Sequence, residues 1–167
     1  MSSIHSFTNS AASVSALFAD AGSTVHCTWR KSISIANNIA PITASLLGIL
    51  FLKLSFAVIG LRTKNKVGLG SGGHDELERA IRAQGNFAEY VPLALILMGI
   101  LEFNSAPFWL VMIPATLLIV GRLFHAKGIK ELPPNFENRV RGMKLTFGSL
   151  FTLIFFNLAW LVYKLLM

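Results

Sequence analysis

The sequence is short of charge before it is short of anything else. Only 14% of its 167 residues are Asp, Glu, Lys or Arg, where an ordinary soluble domain carries about 25%. That excludes a water-soluble monomer, because too little charge is left to cover its outside. Disorder is excluded from the other direction, since 53% of the residues are hydrophobic and the mean hydropathy is +0.60. One cysteine, Cys27, cannot staple a disulfide scaffold, and no spaced set of His and Cys offers a metal site. Acids are outnumbered, 8 Asp and Glu against 15 Lys and Arg. Such an excess suits either a nucleic-acid binder or the basic side of a membrane protein, and its distribution has to decide.

What the chain does have is long apolar runs. Ile42–Leu61 carries one charge, Lys53; Phe87–Leu101 carries one, Glu89; Phe103–Gly121 and Leu145–Tyr163 carry none. A bilayer core about 30 Å thick takes roughly 20 helical residues, so three of these runs span unaided and the second spans if its polar first turns are included. Neither Phe103–Gly121 nor Leu145–Tyr163 has the charged face of a helix in a soluble bundle. The expected fold is therefore all-α, a four-helix transmembrane bundle, with helices over about 41–62, 77–101, 106–124 and 143–166. The first connection brings Arg62, Lys64, Lys66, Arg79 and Arg82; the third brings Arg122, Lys127, Lys130, Arg139, Arg141 and Lys144; the second has no base. Eleven of the fifteen bases thus share one side, which the positive-inside rule makes cytoplasmic, with both termini opposite. Trp109, Trp160 and Tyr163 fall near that opposite interface, and the nucleic-acid reading of the charge is set aside.

Residues 1–38 are different material, rich in Ser, Thr and Ala, and are expected to be a disordered or targeting segment. They lack the basic start and apolar core of a secretory signal. The glycine-rich run Gly68–Gly73 follows no strand and so reads as a flexible linker rather than a phosphate cradle. Asp75 followed by Glu78 reads as an N-cap with an acid in the first turn.

The informative chemistry lies at the start of the second helix. Glu78, Arg82, Asn86 and Glu89 are spaced by 4, 4 and 3, which places them on one helical face. Glu89 is seven residues inward from Arg82, about 10 Å at 1.5 Å per residue. An ionisable group at that depth costs several kcal/mol unless it is paired or hydrated, so it should face a polar cavity. A stripe that only glues helices is the plainer reading, but a neutral Asn or Ser would do that at lower cost. Gly121-Arg122-x-x-His125 and Arg139-x-Arg141 lie on the same membrane side. Several arginines around one intramembrane carboxylate suit a small zwitterionic or multiply anionic ligand, because guanidinium grips carboxylates bidentately.

The run Glu78-Arg79-x-x-Arg82-Ala83-Gln84-x-Asn86-x-x-Glu89-Tyr90-x-Pro92 closely resembles the second-helix motif of the MAPEG family, membrane-associated proteins in eicosanoid and glutathione metabolism. It looks most like the leukotriene C synthase version, and Gly121-Arg122-x-x-His125 resembles the third-helix end of prostaglandin E synthase and the microsomal glutathione transferases. The resemblance covers roughly residues 40–167. It implies a homotrimer in the lipid bilayer that binds glutathione between subunits and acts on a small lipophilic substrate. Carried over, Arg82, Gln84, Asn86, Glu89 and Tyr90 would cradle glutathione, with Arg62, Arg122 and His125 beside them. Arg141, or alternatively Arg139, would face the thiolate. The sequence departs from the eicosanoid enzymes: Gly85 stands where some members have arginine, Ile129 and Leu145 where they have tyrosines, and Gly142 where they have a catalytic serine. In these respects it looks more like the short bacterial-type branch.

A glutathione-dependent transferase or peroxidase is the leading expectation. A non-catalytic lipid-binding member of the family is the first alternative, and a small multidrug exporter using Glu89 as proton carrier the second. Arg82 argues against the exporter, since a proton carrier needs a raised carboxylate pKa and a nearby arginine lowers it.

Overall fold

A computed structural model describes residues 38–130 and 136–167, with side chains omitted at 129 and 130. Four helices follow one another: α1 (Ile39–Asn65), α2 (Asp75–Phe103), α3 (Phe108–Lys130) and α4 (Phe136–Leu166). All four are long and apolar enough to cross a membrane. The segment expected to be disordered or targeting, apart from Asn38, lies outside the described residues.

The helices run past the ends that the apolar runs mark. α4 starts at Phe136 rather than near 143, and α3 continues to Lys130. Hydropathy registers only the part of a helix that lies in lipid, whereas backbone hydrogen bonding continues a helix through polar residues at the interface. Glu137 in the first turn of α4 and Arg141 one turn later form an i,i+4 pair at 3.3 Å that supports this extension. Arg139 and Arg141 are therefore helical residues with fixed directions.

The start of α2 also differs from expectation. His74, not Asp75, is the N-cap residue, and its side chain makes no cap hydrogen bond. The glycine run is not a slack tether. Gly70, Gly72 and Gly73 adopt positive φ, and the Arg62 guanidinium donates to the carbonyls of Val67, Gly68 and Gly70 at 3.5, 3.2 and 3.0 Å. The chain folds back over the end of α1, and the His74 N–H bonds Ser71 O, so the turn ends one residue earlier than the Asp75 reading assumes. Asp75, Glu76 and Glu78 then occupy the first turn of α2, where carboxylates favour the helix dipole.

Inside the bundle, α2 buries Phe87, Val91, Ala94, Met98 and Leu101, an alternation of fours and threes that keeps one stripe inward. Lipid tails are as apolar as leucine, so burying this stripe yields little hydrophobic gain, and close packing and hydrogen bonds hold the helices instead. The α3–α4 seam shows this most clearly. A Cβ built on Gly142 would lie 2.6 Å from the His125 backbone nitrogen and 2.7 Å from Gly121 O, so only glycine permits the two backbones to touch. Further along, the Ser149 hydroxyl donates to Pro114 O at 2.7 Å. At the far end Trp160 Nε1 donates to Asn104 O at 3.1 Å, and the Ala40 N–H at the start of α1 donates to the Glu102 carboxylate at 2.9 Å. Phe56, Phe151, Phe155 and Leu158 project outward from the bundle, a surface suited to lipid.

Candidate functional site

The glycine contact decides where the polar residues meet. By pressing α4 against α3 at Gly121 and Gly142, it sets Arg139 beside the end of α3, across from the polar face of α2. The resulting cleft, about 520 Å³, is lined by Glu78, Ile81, Arg82, Gly85, Asn86, Glu89, His125 and Arg139. Three helices contribute to it.

The inner wall is bonded together through Arg122, whose Nε alone is buried without a hydrogen-bond partner among the described residues. Arg122 is 1% exposed; its Nη1 donates to Asn86 Oδ1 at 2.9 Å, and its Nη2 lies 3.3 Å from His125 Nδ1. A guanidinium only donates, so His125 Nδ1 is the acceptor and the ring proton sits on Nε2. The Phe87 ring lies under the guanidinium, 5.3 Å from the ring centroid, a cation–π contact that offsets part of the cost of burying the charge. The outer wall is not bonded together. Glu89 is exposed in the single subunit and makes no hydrogen bond or ion pair among the described residues. Arg82 is held by Glu78 at 3.0 Å on the helix surface. Arg139 is half-buried, and its Nε is buried with no hydrogen-bond partner among the described residues.

Of the residues singled out in the sequence, Arg82, Asn86, Glu89, His125 and Arg139 line the cleft, and Arg122 supports it from behind. Others point elsewhere within one subunit. Gln84 donates to Ser55 on α1 at 3.2 Å, Tyr90 stands edge-on to Phe147 of α4, and Arg62 holds the glycine turn. Arg141 is exposed and paired with Glu137, so Arg139 is the helix-four arginine that faces the cleft. Gly142 cannot be exchanged for serine without moving a backbone, whereas Gly85 has open space around its missing side chain and leaves the cleft wide. The support that Phe87 gives Arg122 was not anticipated; Phe87 reads from the sequence as one more apolar residue of a membrane run.

These elements, in this order, have a known counterpart. A family model for the MAPEG family matches residues 40–159. The chain belongs to the MAPEG family. As a MAPEG protein it is 37% identical over 127 residues to the inner membrane protein YecN of Escherichia coli K12, covering 76% of this chain and 95% of that one. The YecN of Escherichia coli O6:H1 matches with the same identity and coverage. No solved structure matches the chain. With four spanning helices and an inner membrane relative, this MAPEG chain is an integral, multi-pass membrane protein.

Proposed function

We propose that the protein is a glutathione-dependent transferase or peroxidase acting on lipophilic electrophiles or lipid hydroperoxides. The observation that carries this reading is the chemistry of the cleft. It holds two guanidinium groups, Arg82 and Arg139, two carboxylates, Glu89 and the Glu78 that pairs with Arg82, and the neutral donor–acceptors Asn86 and His125. Glutathione presents the complement: two carboxylates, one ammonium and a thiol. Arg139 suits the thiol end, because its Nε is desolvated without a hydrogen-bond partner and a cation beside a thiol stabilises the thiolate. Arg82 suits a carboxylate and Glu89 the ammonium. His125, with its Nδ1 tied to Arg122, presents an N–H donor rather than a general base.

In a transferase step the thiolate sulfur bonds the electrophilic carbon and displaces its leaving group or electron pair. The contribution of this chain is to hold glutathione ionised at the depth where an apolar substrate arrives from the bilayer. The basic loops are assigned to the cytoplasmic side and both termini to the opposite side. A homotrimer completes the site, since Glu89 on a spanning helix requires cover that one subunit does not supply.

Titration of purified protein with glutathione, followed by turnover with a lipophilic aryl halide, tests the reading. Saturable binding and conjugate formation, both lost in Glu89→Gln with Arg82→Ala, are expected. Binding of lipid without any response to glutathione would favour a non-catalytic lipid-binding member. Proton-driven export indifferent to glutathione would favour a transporter.

A further inference from the structure

Two opposite charges in the spanning region lack partners. Lys53, on α1, is exposed in the single subunit, and so is Glu89, on α2; neither makes a hydrogen bond or ion pair among the described residues. Each alone is costly in hydrocarbon. Arg82, the arginine nearest Glu89 along α2, is engaged by Glu78.

Their depths can be compared through the register of α1 against α2. Gln84 hydrogen bonds Ser55, and Phe87 packs against Phe51 with ring centroids 5.5 Å apart. Residue 53 lies between these two rungs and is therefore level with residues 85 and 86, the waist of the cleft. Glu89 is three to four residues deeper, about 5 Å at 1.5 Å per residue. A lysine's four-carbon stem covers that offset. Yet Lys53 is not among the residues that line the cleft of its own chain.

We infer that Lys53 of one copy reaches across a subunit boundary and pairs with Glu89 of the next, so that each cleft is completed by a lysine from its neighbour. The inference rests on the proposed assembly and adds to it the contact that sets which face of α1 meets which cleft. Such a pair compensates both charges at once, and a carboxylate has two oxygens, so one can take the lysine and the other the ammonium of glutathione. The pair also excludes mispaired packings, because any other arrangement leaves a bare charge in lipid.

Charge exchange between differently tagged copies tests it. Lys53→Glu and Glu89→Lys, each expressed alone, should assemble poorly, and the chain carrying both should assemble like wild type. Co-expressed, the two single variants should co-purify with each other about tenfold more than either does with its own kind, because the complementary charges then lie on different chains. Native mass spectrometry of the wild type separates the failures. A monomeric wild type overturns the assembly and this pair together. An oligomeric wild type whose single variants assemble undiminished, or whose double exchange does not restore them, overturns the pair alone.

Discussion

The two walls of the cleft are made of similar residues and organised in opposite ways. Arg122 bonds both Asn86 and His125 and packs over Phe87. Arg82, Glu89 and Arg139 face the opening, with Glu89 and the buried Arg139 Nε left without partners among the described residues. Arg82 is paired with Glu78, but Glu89 and Arg139 share the cleft without pairing to each other. The inner wall belongs to the fold; the outer wall is the part we propose for a ligand and a neighbouring subunit.

The largest effect should come from breaking the inner wall. Arg122→Met leaves Asn86 Oδ1 and His125 Nδ1 without their donor and should cost on the order of 3 kcal/mol, read as a lower unfolding midpoint in detergent. Gly142→Ala attacks the seam that brings the walls together. Its Cβ would sit 2.6 Å from a backbone nitrogen, and overpacking of this kind costs about 2 kcal/mol, seen in the same unfolding measurement together with weaker glutathione binding. Sharpening the comparison calls for the opposite result: Arg139→Ala should weaken glutathione about tenfold, about 1.4 kcal/mol, while the unfolding midpoint stays put. Arg141→Ala, which breaks only an exposed pair with Glu137, should leave both within about twofold. At the far end of the bundle, Glu102→Ala removes the acceptor for the Ala40 N–H and should cost about 1 kcal/mol, with glutathione affinity unchanged in calorimetry.

The spans and the polar stripe of α2 were legible in the sequence because helical periodicity writes both. Phe87, Val91, Ala94, Met98 and Leu101 mark one face, and Glu78, Arg82, Asn86 and Glu89 another. The choice between Arg139 and Arg141 was not legible. It depends on a helix that starts nine residues before its apolar run, and two residues apart on a helix is the difference between lining the cleft and pointing away from it. The contacts of Arg62 and Gln84 within one subunit were not legible for a related reason. Their partners, a backward-folded turn and a serine on another helix, are set by tertiary contacts that leave no local pattern. Gly142 reads as a loss when compared with a serine, and as a requirement once the α3–α4 contact is seen.

We propose that Arg139 and its neighbours hold an ionised thiol. Thiolate absorbance on adding glutathione to the purified protein at neutral pH measures it directly. A thiolate signal in the wild type that disappears in Arg139→Ala and persists in Arg141→Ala is predicted; no signal in the wild type, or one that survives Arg139→Ala, would contradict it.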